Sequence, residues 1–475
     1  MGGTAGGPVL ARGVDVVVDH GRVTAIVASG EGGGPGHDVW ELPGRLVLPG
    51  LVNLHAHCTG NAHHLLVDGA GEPELLGATY LTTKAPRSPL PPGLDPRVAA
   101  RWAVWELLRG GTTTVLDAGG SPAQAAALAA EATAVGLRAH VGVSLSSGRW
   151  AAAADGALDW VDRSEDDDAQ LAAAEALLDA LDPEGTVRGA VVVAQADTAS
   201  DRLLREAHAL ARRRQVPFTL HAAQNRREVL LTLARFGTTP LTRLHRLGVL
   251  GPGTILAHAV HLDHHPAVAT GTVELGLLAA SGAAVAHCPR HLAQRGEALR
   301  SLSAYRTAGV PVGLGTDTMP RDLVAEVGTA LLVDRVVSGG TATVAGVVDA
   351  ATRVGADALG RAELGRIQVG GPADLVVVDL REVGLLADPV RAAVEHAGRH
   401  EVEHVLVGGA HLVREGEVVG IDPAPLRAAA QRAADALGDS APSWHRHGRA
   451  AAELAPPPYP HAPAEAVART LEVIT

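Results

Sequence analysis

The stretch VLPGLVNLHAHCTG, residues 47–60, reads as a buried β-strand that ends in the pair His55 and His57. Because side chains two positions apart on a strand point the same way, both imidazoles face one side of the chain. Two imidazoles placed in this way can hold a metal ion. A lone His-x-His pair is equally typical of ordinary core or surface histidines, so its meaning depends on the rest of the chain.

From about residue 45 onward, short β-branched runs alternate with Ala/Leu-rich segments of helical period, which predicts repeated βα units and a parallel sheet. The predicted strands span 47–57, 112–118, 137–145, 187–194, 216–221, 254–258, 283–287 and 310–315. The predicted helices span 96–109, 122–134, 168–181, 201–214, 226–235, 296–308 and 321–337. Such a series favours a closed (β/α)₈ barrel of the TIM type over an open doubly wound sheet.

Short strands joined by Gly turns flank this block at 14–27, 373–380 and 402–418. We expect them to form a small β-sandwich built from both chain ends. The predicted organisation is therefore a set of four segments. The last one contains a helix near 425–437 and a Pro-rich tail to which we assign no chemistry. The segments are 1–50 (N-terminal part of the sandwich), 51–365 (barrel), 366–420 (C-terminal part of the sandwich) and 421–475 (helix and tail).

The bulk composition excludes several classes of function. A net charge of -12, from 52 acidic and 40 basic residues without long single-sign blocks, predicts no nucleic-acid partner. Cys58 and Cys288 are the only cysteines and form no disulfide framework, which favours a reducing, cytoplasmic setting. No run approaches the ~18 apolar residues of a membrane span, and the N-terminus shows no export signal.

Three more predicted strands end in a residue with metal-binding or acid–base chemistry: His221 in VPFTLHAAQN, His258 in TILAHAVH and Asp317 in VGLGTDT. Barrel enzymes carry their active sites at the C-terminal strand ends, so this recurrence predicts one shared site. Three imidazoles and one carboxylate suit one divalent metal ion, Zn²⁺ first, with Fe²⁺ or Mn²⁺ as alternatives. Such an ion lowers the pKa of a bound water toward neutrality.

With these residues, the sequence resembles the amidohydrolase superfamily, in its branch of cytosine, guanine and adenosine-like deaminases and chlorotriazine hydrolases. The resemblance spans nearly the whole chain. Its motifs are LPGRLVLPGLVNLHAH (42–57), HAAQ (221–224), LAHAVH (256–261), HCP (287–289), GLGTDT (313–318) and GGPADLVVVD (370–379). The resemblance also implies that the last motif is the strand that returns to the β-sandwich.

The resemblance implies a role for each strand-end residue. His55, His57 and His221 would be metal ligands, and Asp317 would be both a ligand and the base that takes a proton from the attacking water. His258 would polarise the substrate. These roles are physically reasonable, because a carboxylate beside the metal is placed for proton transfer and an imidazole opposite it can stabilise negative charge.

Two departures from the family pattern shape the prediction. The two-metal members use a strand-four lysine, whereas Lys84, the chain's only lysine, follows strand one, so one metal is favoured. In the related deaminases a glutamate stands where this chain has Gln224. An amide cannot act as a general acid, so we expect Gln224 to position substrate while His258, Asp317 or Glu228 supplies the proton.

Further histidines follow the predicted strands and are candidates for the substrate pocket. We assign His287 to substrate binding together with Gln224. The other candidates are His63, His64, His261, His264, His265 and His291.

The sequence thus predicts a metal-dependent hydrolase of a C–N bond other than a peptide bond, a deaminase of a small nitrogen heterocycle, which we expect to form a homo-oligomer. Two alternatives within enzymes are opening of a cyclic amide and displacement of halide from a ring. A third is a non-catalytic, ligand-binding barrel, which the intact ligand set argues against.

Overall fold

The computed structural model describes residues 2–4, 7–34, 36, 38–59, 94–152, 158–163, 166–383 and 388–459. Its strands are β1 (Gly2–Thr4), β2 (Gly7–Val9), β3 (Val14–Asp19), β4 (Arg22–Ala28), β5 (Arg45–Pro49), β6 (Leu51–Ala56), β7 (Thr112–Asp117), β8 (Arg138–Val141), β9 (Ser144–Leu145), β10 (Gly148–Ala152), β11 (Leu158–Asp162), β12 (Val187–Gly189), β13 (Val191–Gln195), β14 (Phe218–Ala222), β15 (Thr254–His258), β16 (Ala284–His287), β17 (Val312–Leu314), β18 (Leu375–Asp379), β19 (Val402–Val407), β20 (Ala410–Arg414) and β21 (Glu417–Val418).

The helices are α1 (Pro96–Arg109), α2 (Pro122–Val135), α3 (Asp167–Ala180), α4 (Asp201–Arg214), α5 (Arg226–Phe236), α6 (Pro240–Leu247), α7 (Glu274–Ser281), α8 (Pro289–Ala293), α9 (Leu302–Thr307), α10 (Leu323–Ser338), α11 (Val344–Ala351), α12 (Arg353–Ala358), α13 (Pro389–His396), α14 (Pro423–Asp439), α15 (Ala441–Trp444) and α16 (Ala451–Leu454). Within the described part of the chain, no helix combines the length and apolar character needed to cross a membrane.

The predicted βα repeat is present as two sheets of parallel strands. One sheet has the order β12-β8-β7-β6, and the other has the order β17-β16-β15-β14-β13-β9. Each pair of neighbours in these sheets runs parallel, for example β14 with β15 and β15 with β16. Since every strand end of a parallel sheet points the same way, the residues that close these strands share one edge.

Two of the predicted strands are each interrupted once. The segment predicted at 137–145 divides into β8 and β9, and the segment predicted at 187–194 divides into β12 and β13. The reason is close backbone approach at Gly142, where an added Cβ would lie 2.6 Å from the carbonyl oxygen of Ala190. The break therefore occurs in both strands where they pass each other.

Both faces of the parallel strands are buried, as expected when helices cover a parallel sheet. Ile255 of β15 and Ala286 of β16 belong to one apolar cluster, whereas their neighbours Leu256 and Val285 belong to a second, larger one. The larger cluster also contains apolar side chains of the helices, such as Leu107 of α1. Alternate residues of each strand thus contribute to different layers of the core.

The chain ends contribute antiparallel strands, as predicted. One sheet has the order β21-β20-β19-β18-β5, so it joins a strand from before the parallel block to four from after it. The strands β3 and β4 form a separate hairpin. Arg22 of β4 bridges to Pro372, and Val23 exchanges backbone hydrogen bonds with Gly370 and Gly371.

The predicted strand at 47–57 is wrong in one respect, because it merges two strands. β5 pairs antiparallel with β18, whereas β6 pairs parallel with β7. Gly50 separates them at a point where a Cβ would lie 2.3 Å from Thr113 Oγ1. A glycine is required there because the chain passes directly against another strand while it changes sheets.

The helix predicted at 296–308 is also too long at its start. Residues 294–296 form a turn, in which Gly296 has a φ of +71°. The Ser301 side chain then caps α9 by accepting from the Ala304 N–H. Several helices between the predicted ones were not predicted at all. These helices are α6, α7, α8, α11, α12 and α13. Each has eight residues or fewer, and in so short a segment the helical period cannot be distinguished from other apolar spacings.

The chain divides into two compact units. The larger unit, residues 1–60, 94–149 and 160–430, contains the parallel strands and the antiparallel sheet. In the smaller unit, the described C-terminal residues pack around Trp444, which is fully buried and donates from its indole N–H to the Leu437 carbonyl. Leu437, Ala441 and Leu454 complete this small core.

Candidate metal centre

The predicted residues come together at the C-terminal edge of the parallel strands. His55 lies in β6 and His57 directly follows it. His221 lies in β14, His258 is the last residue of β15, and Asp317 follows β17. The structure therefore places side chains from four different strands at one edge.

His57 and His221 face each other through their Nε2 atoms, which are 3.2 Å apart. The Nδ1 atom of His221 lies 2.6 Å from the carbonyl oxygen of Ala194. Because a carbonyl only accepts, Nδ1 carries the ring proton, and the Nε2 lone pair of His221 is directed at His57. Tetrahedral zinc with Zn–N bonds of about 2.1 Å holds its nitrogens roughly 3.4 Å apart, so this pair has the spacing of two ligands.

His55 and His258 are buried, and neither ring nitrogen of either residue has a hydrogen-bond partner among the described residues. Burial is the main cause that lowers the pKa of both histidines well below its usual value, and it lowers the pKa of His221 to about 4. All three rings are thus neutral at pH 7. A buried neutral imidazole without a partner is costly, and a metal ion would satisfy a ring nitrogen of His55.

Asp317 lies at the centre of this group. Its Oδ1 is 3.5 Å from His57 Nε2, and its Oδ2 is 3.4 Å from His258 Nε2. Candidate ligand atoms of His55, His57 and Asp317 all lie within 4.8 Å of one another, as do those of His55, His221 and His258. Burial raises the pKa of Asp317 to about 7, although the cations Arg295 and Arg321 oppose this shift.

Backbone contacts fix the carboxylate relative to the first histidines. Asp317 N–H donates to the His55 carbonyl at 3.0 Å, and His57 N–H donates to the Asp317 carbonyl at 2.6 Å. Asp317 and His258 both adopt positive φ angles, 61° and 77°, in a region that non-glycine residues rarely occupy. Such conformations are typical of sites where the surrounding structure holds functional side chains in place.

Gln224 lies three residues after His221 and is partly exposed. Its backbone N–H donates to Glu228 Oε2 at 2.7 Å, and the Ala223 N–H donates to Glu228 Oε1 at 2.8 Å. Burial, followed by the nearby charge of Asp197, raises the pKa of Glu228 to about 8. Both oxygens of Glu228 therefore hold the loop that carries Gln224.

His291 contacts the site. The sequence indicated it only as a candidate for the substrate pocket. Its Nε2 lies 3.2 Å from Asp317 Oδ2. Arg295 Nη1 lies 3.1 Å from His291 Nδ1 and can only donate, which leaves the ring proton on Nε2, the nitrogen next to Asp317. Cys288 Sγ also lies within 4.8 Å of candidate ligand atoms of His258 and Asp317. The HCP motif at 287–289 marks this part of the chain in the sequence, but it does not predict the direction of the His291 side chain.

The remaining predicted residues differ in how closely they approach this group. His287 is buried, burial lowers its pKa to about 4, and it belongs to none of the ligand-atom clusters among the described residues. Its role in substrate binding stays a prediction. His63, His64 and Lys84 lie outside the described residues. The two cysteines are buried and free, as expected.

Curated relatives with similar sequences are deaminases by name. The chain is 33% identical over 433 residues to the 5-methylthioadenosine/S-adenosylhomocysteine deaminase of Halobacterium salinarum, covering 89% of this chain and 93% of the relative. It is 28% identical over 453 residues to the 8-oxoguanine deaminase of Pseudomonas aeruginosa, covering 91% and 96%.

Solved structures give the same grouping. An adenosine deaminase from Xanthomonas campestris with bound zinc aligns with a TM-score of 0.76 and 28% identity, over 90% of this chain and 94% of that one. The zinc complex of the atrazine chlorohydrolase from Arthrobacter aurescens aligns with a TM-score of 0.71 and 24% identity, over 89% and 95%, and shares the fold. The amidohydrolase family profile matches residues 46–412. These matches confirm the resemblance drawn from the motifs: the chain belongs to the amidohydrolase family.

Proposed function

We propose that the chain is a metal-dependent hydrolase that replaces an amino group on a nitrogen heterocycle with oxygen from water and releases ammonia. The observation that carries this proposal is the position of Asp317, 3.5 Å from His57 and 3.4 Å from His258. One carboxylate is thus next to a candidate ligand on one side and a candidate polarising imidazole on the other. The deaminase names of the relatives support the reaction type.

His55, His57, His221 and Asp317 would hold one divalent metal ion. The unpartnered buried nitrogens of His55 and the facing Nε2 atoms of His57 and His221 support this set. Zinc is the preferred candidate, since the Xanthomonas adenosine deaminase contains it. When bound, the ion would supply Lewis acidity and make water a better nucleophile near neutral pH. The described part of the fourth strand, β12 and β13, has no lysine, which supports a single ion.

Asp317 would take a proton from the attacking water, because its carboxylate borders the ligand set and is held there by the backbone of His55 and His57. His258, neutral and buried, would stabilise the negative charge that develops on the ring as water adds. Attack forms the new C–O bond, and loss of ammonia then breaks the C–N bond once the nitrogen has received a proton.

The proton for the leaving nitrogen would come from Asp317 or His258. Gln224 has no titrating proton, and Glu228 is committed to the backbone N–H groups of Ala223 and Gln224. Gln224 would therefore position the substrate by hydrogen bonding, together with His287.

The site would lie at the mouth of a closed (β/α)₈ barrel formed by residues 51–365. The parallel bridge between Ala56 and Asp317 supports closure, because it links β6 to the segment after β17. The segments 1–50 and 366–420 would form the β-sandwich, which the mixed origin of the β5-containing sheet supports. Residues 421–475 would form the C-terminal helix and tail.

The test is ammonia release from a panel of aminated heterocycles that includes 5-methylthioadenosine, S-adenosylhomocysteine and 8-oxoguanine, with Asp317→Asn as the matched inactive control. We expect at least one substrate to release ammonia only with the wild-type protein. If the metal-loaded protein releases ammonia from none of a broad panel, deamination is wrong.

Gln224 favours a second candidate reaction, displacement of halide from a ring. Halide leaves as a stable anion and needs no proton, so the missing glutamate would matter less. Offering the chloro analogue of each aminated ring distinguishes the two reactions, because halide release without ammonia release would identify the second.

A further inference from the structure

Two histidines that the proposed mechanism does not use lie together on the loop after β15. The rings of His261 and His265 have centroids 4.3 Å apart, and His261 Nε2 lies 3.2 Å from Glu297 Oε2. One ligand atom from each of these three residues lies within 4.8 Å of the other two. The group shares no residue with the clusters around Asp317.

We propose that His261, His265 and Glu297 bind a second divalent transition-metal ion, Zn²⁺ being the best match. Two imidazole nitrogens and one carboxylate oxygen are a ligand set that zinc accepts, with water filling the open position. Histidine selects against Mg²⁺ and Ca²⁺, which prefer oxygen ligands. The ion would connect the loop after β15 to the segment between α8 and α9.

The orientation of the His261 ring suits this role. Its Nδ1 lies 3.2 Å from the carbonyl oxygen of Gln224, and a carbonyl can only accept. The Nδ1–H therefore donates to this carbonyl, which leaves the buried Nε2, without a hydrogen-bond partner among the described residues, as the atom that would bind the metal ion. His221 is oriented by the carbonyl of Ala194 in the same way. Such outer contacts typically orient metal-binding histidines.

The loop that carries the two histidines is fixed by hydrogen bonds. Asp263 Oδ2 accepts from the Val273 N–H at 2.7 Å, and the Asp263 N–H donates to Glu274 Oε2 at 2.7 Å. The backbone of Glu297 is held by its N–H, which donates to the Leu292 carbonyl at 3.0 Å. Because both segments are already ordered, binding a metal ion costs little conformational entropy.

His265 sets the affinity below that of the Asp317 centre. Burial and the neighbouring His261 lower its pKa to about 4, so the ring is neutral and available at pH 7. Its Nδ1 accepts from the Ala267 N–H at 3.2 Å. Ligation through Nε2 would require a proton on Nδ1 and would break this contact. The Glu297 side chain is also 29% exposed, so the ion would exchange with solvent.

The competing interpretation is that His261 and Glu297 only contact each other and bind no metal ion. Zinc content separates the two. Wild-type protein is first dialysed so that it keeps only its tightly bound zinc, and it is then equilibrated with excess Zn²⁺. Three variants are treated in the same way. The variants are His265→Ala, Glu297→Gln and, as the adjacent control, His264→Ala.

We expect the wild type and His264→Ala to gain one further zinc per chain, bound more weakly than the first. His265→Ala and Glu297→Gln should bind that second zinc at least about tenfold more weakly, as loss of a ligand costs no less than loss of an outer contact. Added zinc should raise the Tm of the wild type and of His264→Ala, and it should raise the Tm of the other two variants less.

The proposal is overturned if the wild type gains no zinc in excess, or if either His265→Ala or Glu297→Gln binds the second zinc with wild-type affinity. Zinc content and Tm do not depend on the substrate. A His57→Ala variant separates this proposal from the proposed function, because it should lose the tight zinc and keep the weaker one.

Discussion

At Asp317, a single buried carboxylate contacts residues from three separate parts of the chain. His57, His258 and His291 each place a ring nitrogen within 3.5 Å of one of its oxygens. Replacing it by asparagine keeps the shape and an oxygen that can ligate weakly, but removes the proton acceptor. We expect Asp317→Asn to lower kcat by at least about a hundredfold while part of the metal is retained.

The measurement is kcat together with metal content and circular dichroism of the same preparation. The fold should survive, since the Asp317 backbone bonds to His55 and His57 do not involve the side chain. Wild-type rates in Asp317→Asn would remove this residue from the mechanism.

Gln224 and His258 should give opposite kinetic signatures. If Gln224 only positions substrate, Gln224→Ala should raise KM more than it lowers kcat, which is the signature of lost uniform binding. His258→Ala should mainly lower kcat, because the imidazole acts on charge that develops during the reaction. Steady-state kinetics on one substrate decide this. A fall of several orders of magnitude in kcat for Gln224→Ala, at unchanged KM, would contradict the positioning role.

The sequence indicated the strand-end residues well, because a residue at the end of a parallel strand has a position that the period of the strand predicts. His55, His57, His221, His258 and Asp317 could be selected in this way. Residues after the strands could not. The direction of His291 toward Asp317 depends on the turn into α8 and on its contact with Arg295, neither of which has a sequence period.

At the scale of the elements, the chain passes directly against β6 at Gly315, the residue that follows β17. A Cβ there would lie 2.7 Å from the His55 carbonyl oxygen and 2.9 Å from His55 N and Cβ. All of these atoms are backbone or the first side-chain carbon, so they cannot move aside cheaply. We expect Gly315→Ala to destabilise the protein by about 1–3 kcal/mol and to reduce its metal content, since it displaces His55.

Gly276 is the matched control for this change. It lies in α7, and a Cβ there meets nothing within 4 Å. Gly276→Ala should be neutral or stabilise by up to about 1 kcal/mol, because alanine favours helix. Denaturant unfolding and metal analysis of both variants test the point. Equal effects of the two substitutions would contradict the claim that Gly315 is required by its close approach to His55.

The elements also show where sequence patterns fail. Long helices such as α1 and α4 begin and end at the predicted residues, and Asp95 and Ser200 cap their N-termini by accepting backbone N–H bonds. The division of 47–57 at Gly50 was not predictable, because the apolar run continues through it. The break is required by close approach to Thr113 of β7 and to Asp374, both distant in sequence.

At the scale of the whole molecule, the alternation of strands and helices was enough to predict the parallel architecture, because each unit carries its own period. The smaller unit was not predicted. Its described core, in which Leu437, Ala441 and Leu454 pack with Trp444, depends on side-chain contacts that no local pattern records.

The central claim is that His55, His57, His221 and Asp317 hold a single tight divalent metal ion in the folded chain. Elemental analysis of protein purified without added metal and dialysed extensively tests it most directly. We expect about one zinc, iron or manganese ion per chain in the wild type, and none in a His55→Ala/His221→Ala double variant that remains folded. Two tightly held ions per chain, no ion in any wild-type preparation, or an undiminished ion in the double variant would contradict the claim.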